Sequence, residues 1–163
     1  MKRKSQQLRF AGLESAEDYL KRLGNRAYRT SGNWTLDHIY DHCAIAIECS
    51  LDGFPADYPT FIRRSLGRLS YLAIRALRFF PPRVPNLRAI PAPAEQSTGV
   101  QSYERLLLAI ERLKQHTGEW AEHPFFGRLS REEWRLLHSW HLANHLSYVA
   151  GPEVTALRPA SAG

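Results

Sequence analysis

Apolar residues recur at three- and four-residue spacing in several stretches of the chain, and this periodicity predicts a helical protein. A short helix is expected over Leu13 to Leu23, with Glu14 and Ser15 in its first turn and Gly24 as its stop. A second begins after Asn33 or Thr35, either of which can cap it. Its face carries Ile39, His42, Cys43, Ala46, Ile47 and Ser50, and Gly53 and Pro55 end it. A third opens at Pro59 and Thr60. It runs through Phe61, Ile62, Leu66, Leu69, Leu72, Ala73, Ala76, Leu77 and Phe80 to the stop at Pro81 and Pro82.

Pro81 to Gly99 then reads as a long loop holding five of the ten prolines. A fourth helix follows Ser102, with Tyr103, Leu106, Leu107, Ile110 and Leu113 as its stripe, and Gly118 closes it. Glu119 to Leu129 is a turn-rich connection. Ser130 with Glu133 three residues later is a capping box, so the last helix is expected from about Arg131 to Ala150, stopped by Gly151 and Pro152. No strand pattern stands out. The pattern predicts an all-α four-helix bundle with a short accessory N-terminal helix. The domain runs over 13–151, with an N-terminal tail over 1–12 and a flexible C-terminal tail over 152–163.

A chain of 163 residues with 44% hydrophobic and 23% charged residues fits one globular domain with a real core. No apolar run is long enough for a membrane span, because Arg75 and Arg78 interrupt Tyr71 to Phe80. The two cysteines, Cys43 and Cys49, fit small buried thiols better than a disulfide or a zinc finger. Low cysteine use and the lack of a secretory signal point to the cytoplasm. The net charge of +6 comes largely from arginines between Arg63 and Arg88. With no nucleic-acid-reading motif beside them, they read as a solvated helix face and loop rather than a nucleic-acid surface.

The histidines change the picture most. Of seven, three lie in the last helix, His138, His141 and His145, on one seam with Trp134. Buried imidazoles without partners are costly. A metal relieves that cost, and His141 and His145 at i and i+4 project from one face as such a pair must. A third ligand has to come from another helix. His42 shares an inward face with Ile39, Ala46 and Ile47 and is the best candidate, with His38 one turn earlier as the alternative. His38, His138, Glu48 and Asn144 are candidates to orient the ligands. Asp37 and Asp41 are expected to face solvent. Trp34 and Trp134 are expected at the bundle ends, and His123 to Gly127 to form a tight connector built on Pro124 and Gly127.

At these residues the chain resembles the DinB-like superfamily, in a bacterial branch of uncharacterised function. Three stretches carry the resemblance. They are Trp34-Thr35-Leu36 with His42 and Ser50-Leu51-Asp52-Gly53-Phe54-Pro55; His123-Pro124-Phe125-Phe126-Gly127 with Leu129-Ser130-Arg131-Glu132-Glu133-Trp134; and His138 to His145. The resemblance implies an up-down-down-up four-helix bundle. It also implies a divalent ion held by His42, His141 and His145, and three imidazoles suit zinc, nickel or manganese. Superfamily members with assigned activity include S-transferases and an isomerase dependent on low-molecular-weight thiols, and dimers are common among them. The resemblance therefore implies a metal-dependent transferase acting with such a thiol on a small molecule. The ligand set serves a metal-dependent hydrolase equally well, since a cation eases proton loss from thiol and water alike. A non-catalytic binding or assembly module with a structural or vestigial histidine site is the remaining alternative. For an enzyme, the third-helix and loop arginines can guide an anionic substrate such as a carboxylated thiol.

Overall fold

The structure, a computed structural model, describes residues 7–26, 28–31, 33–56, 58–80, 90–91, 93 and 99–152. The expected tails therefore fall largely outside the described residues, as does most of the proline-rich loop with Arg83 and Arg88.

Helices dominate, as the periodicity predicts. They are α1 (Leu13–Leu23), α2 (Leu36–Asp52), the short α3 (Thr60–Ile62), α4 (Arg68–Leu77), α5 (Gly99–Gln115) and α6 (Arg131–Leu146). A π-helical turn, Arg63–Gly67, joins α3 to α4. Thr35, not Asn33, caps α2, its side chain accepting from the His38 N–H at 3.2 Å. The capping box on α6 forms in both directions: Ser130 Oγ accepts from the Glu133 N–H at 3.2 Å, and Glu133 Oε2 accepts from the Ser130 N–H at 2.9 Å. Replacing Ser130 with Ala is expected to cost about 1 kcal/mol in denaturant unfolding. An unchanged midpoint would show that the cap contributes nothing.

Two short strands depart from the all-helical expectation. β1 (Tyr28–Thr30) pairs antiparallel with β2 (Val149–Pro152), and the Ser31 N–H donates to the Tyr148 carbonyl at 2.8 Å. The last helix therefore ends at Leu146, not near Ala150. Tyr28, Thr30, Tyr148 and Val149 are residue types that favour extended backbone, but each run is too short to show alternation.

The main core joins α1, α2, α5 and α6. Leu13, Leu20, Ile39, Tyr40, Ile47, Leu106, Ile110, Leu113, Leu142 and Leu146 fill it. Cys43 lies inside this core, Cys49 is half-buried, and both thiols are free. A second cluster ties α4 to α6 and to the segment before it through Tyr71, Ile74, Phe126, Leu129, Trp134, Leu137 and Trp140.

This second cluster corrects the face predicted for the third helix. Phe61, Leu66, Leu69, Leu72 and Leu77 are exposed, whereas Tyr71 and Ile74 are buried. Gly67, Tyr71 and Ile74 share the packed face at i, i+4 and i+7. Gly67 lets the helix come against the Phe125 carbonyl, where a Cβ would stand 1.8 Å from the oxygen.

Candidate metal centre

His42 in the middle of α2 and His141 and His145 one turn apart on α6 meet where those two helices face each other. Their ring nitrogens converge. His42 Nε2 and His141 Nε2 are 3.3 Å apart, and His145 Nε2 and His141 Nε2 are 3.0 Å apart. One nitrogen from each of the three lies within 4.8 Å of the others. Two imidazole nitrogens each 2.0–2.1 Å from one tetrahedral zinc would be about 3.3 Å apart, so the trio has the spacing of a ligand set.

The aromatic packing fixes the rings. Trp34 stacks on His145, with 5.4 Å between centroids and 5° between planes, and lies 4.9 Å from the His42 ring. Trp34 is thus a wall of the trio, a role its sequence position at the helix start does not reveal. All three imidazoles are held neutral. Burial, followed by the nearby charge of His38, pushes His42 down to about 4. Burial and then His42 bring His145 down to about 3. Burial, reinforced by His145 and His42, lowers His141 well below the usual value. Neutral imidazoles offer lone pairs to a cation without first losing protons.

The other candidates divide. His138 is buried, and its Nε2 lies 2.9 Å from Ser50 Oγ. Asn144 lies on the same side of α6 as the trio and lines the adjoining cavity. His38 rests against Trp34 at 4.6 Å between ring centroids. Glu48 is engaged elsewhere: both of its carboxylate oxygens accept from Arg105 on α5, at 3.0 and 2.7 Å. Asp41, expected in solvent, is 2% exposed and accepts from Ser102 Oγ at 3.1 Å. The packing of α5 along α2 buries that side of the helix, and Arg105 comes within 3.6 Å of the carboxylate. Asp37 is half-buried. Burial, and then Asp41, raise its carboxyl above the usual range.

A cavity of about 510 Å³ opens beside the trio. Ser70, Ala73, Ile74 and Leu77 of α4 form one wall, and Leu137, His138, His141, Asn144 and His145 of α6 form another. Phe54, Tyr58, Phe80, Phe125, Phe126 and Trp134 supply most of the remaining surface. None of the described lining residues is Lys, Arg, Asp or Glu. The third-helix arginines instead pair outside the cavity, Arg63 with Glu122 at 2.8 Å and Arg75 with Glu133 at 3.3 Å. The expected guidance of an anionic substrate by these arginines therefore finds no support among the described lining residues.

The His123–Gly127 turn is a tight connector, as its Pro and Gly predict, closed by two backbone hydrogen bonds of 2.9 Å between those two residues. It also does what the connector reading misses. His123 is buried, lines the cavity, and packs on Phe126 at 4.2 Å between centroids. Burial, and then His138, push it down to about 3.

Fold and site together define a mostly helical protein with a three-histidine group that can hold a metal ion beside an apolar cavity. The chain belongs to the family described as "Protein of unknown function (DUF1569)", which it matches over residues 2–151. No curated protein and no solved structure matched the chain. No helix among the described residues is long and apolar enough to cross a membrane.

Proposed function

We propose that this protein is a metal-dependent enzyme whose divalent ion, zinc, nickel or manganese, is held by His42, His141 and His145. On this reading it acts on an apolar small molecule in the adjoining cavity. The observation that carries the proposal is the convergence of three neutral Nε2 atoms at 3.0 and 3.3 Å on the wall of a cavity large enough for a substrate. Such an ion, when bound, stabilises an anionic sulfur or oxygen nucleophile at neutral pH. The chain's own part is to hold the three imidazoles neutral, pack Trp34 against the His42 and His145 rings, and present the substrate from the apolar side.

Among reactions open to this ligand set, transfer to a low-molecular-weight thiol agrees best with the resemblance to the DinB-like superfamily. The same resemblance supports an up-down-down-up four-helix arrangement of α2, α4, α5 and α6 and a homodimer, and low cysteine use supports work in the cytoplasm. A hydrolase would use the same site. The size of the cavity argues against a vestigial, purely structural trio, which needs no space for a substrate.

The test is turnover. Metal-loaded protein is incubated with a low-molecular-weight thiol and a panel of apolar electrophiles, and free thiol is followed. Consumption that needs the ion and falls at least about a hundredfold in His141→Ala is expected, since loss of a metal ligand removes the stabilised nucleophile. Metal retained without turnover of any thiol or ester substrate would overturn the enzyme reading.

A further inference from the structure

Two histidines in the cavity, His123 and His138, are outside the metal trio, and their hydrogen bonds fix which ring nitrogen carries the proton. The Ser50 hydroxyl donates to the Ile47 carbonyl at 2.6 Å. Its oxygen is then the acceptor in the 2.9 Å contact with His138 Nε2, so that nitrogen is protonated. His138 Nδ1 is left with a bare lone pair, and no described residue donates to it. His123 is locked from the other side of its ring. Its Nδ1 accepts the backbone N–H groups of Phe125 and Phe126 at 3.1 and 2.9 Å. The ring proton must therefore sit on Nε2, which bonds no described residue. Both rings line the cavity, where the surrounding side chains are aromatic and aliphatic.

We infer that His123 and His138 form a second polar station in the cavity, with His123 Nε2–H as donor and His138 Nδ1 as acceptor, which selects an uncharged substrate that offers both an acceptor and a donor, such as a primary amide. The inference rests on the reading of the cavity as a substrate site. A carboxylate cannot donate to His138, and its charge would draw it to the ion on the trio instead. A plain hydrocarbon fills the space but leaves both imidazoles unpaired, and an unmade bond of this kind is a strong source of discrimination. Ser50 is a positioning residue here: it acts on the substrate only through the tautomer of His138.

The experiment uses zinc-loaded full-length protein and two probes of similar size, benzamide and toluene, titrated calorimetrically, with zinc content measured on each sample. Benzamide is expected to bind about tenfold tighter than toluene, the worth of two neutral hydrogen bonds. In His138→Leu the advantage over toluene should shrink severalfold while zinc content stays the same. Ser50→Ala should shrink it too, with toluene affinity unchanged, because the freed ring can move its proton to Nδ1. Nitrogen-15 NMR of histidine-labelled wild-type protein reads the tautomers directly, whether or not a variant folds. Both rings should show Nε2–H with a bare Nδ1. Equal binding of benzamide and toluene, or an Nδ1–H tautomer at either ring, would overturn the inference. If zinc binds and these results fail, only the polar station is lost. If zinc does not bind, the metal reading fails by itself.

Discussion

Lowering the pH from 7 to 5 is expected to lower the melting temperature of the metal-free protein by roughly 10 °C, the response of a domain this size to a few kcal/mol. The cause is a set of histidines buried in their neutral form. Burial brings both His123 and His138 down to about 3. In the unfolded chain they titrate near 6.5. Between these values the unfolded state binds more protons than the folded state, so stability rises with pH. The contribution is fully present above about pH 6.5 and is lost as pH falls towards the folded values. At pH 5 each of these two histidines withholds about 2 kcal/mol relative to pH 7. His42 and His145, depressed to about 4 and about 3 mainly by burial, act in the same direction. Thermal melts across this range, in wild type and in His138→Phe, give the check. The variant should show a shallower slope whatever its absolute stability. A melting temperature independent of pH between 7 and 5 would mean that the imidazoles are not sealed from solvent.

The second large effect runs against helix propensity. Gly67 has ordinary right-handed helical backbone, φ −62°, so Gly→Ala there would normally stabilise by up to about 1 kcal/mol. Here a Cβ would meet the Phe125 carbonyl oxygen at 1.8 Å and its carbon at 2.9 Å. Backbone on both sides leaves no flexible chain end to move aside. Gly67→Ala is expected to destabilise by about 3 kcal/mol in denaturant titrations, the upper end for overpacking. It should also push α4 away from the Phe125–Phe126 turn and loosen the cavity wall. A stabilised variant would show that α4 does not press on that turn as described.

The positions of the helices, and the trio itself, could be read from the sequence because they rest on period. His141 and His145 four residues apart, and His42 among Ile39, Ala46 and Ile47, are local signals, and the structure brings these three side chains together. What could not be read depends on which neighbour each helix finds. Asp41 looks like a solvent residue until α5 packs over it with Ser102 and Arg105. The apolar residues of the third helix predict a broad buried stripe, but contact at Gly67 selects Tyr71 and Ile74 and leaves Phe61 and Leu69 outside. The strand at Val149–Pro152 exists only because Tyr28–Thr30, more than a hundred residues away, supplies its partner. Trp34 and His123 belong to the same class. Their ordinary local roles, at a helix start and in a connector, are real, and only the tertiary fold turns one onto His145 and the other into the cavity.

The central claim is that His42, His141 and His145 hold one divalent ion. Its most direct test is elemental analysis of protein reconstituted with zinc or nickel and freed of excess ion, in wild type and in the three single His→Ala variants. One ion per chain in the wild type, and well under half of that in each variant that remains folded by circular dichroism, is the predicted result. Wild-type protein that retains no ion, or a His42→Ala variant that retains as much as wild type, would contradict the account.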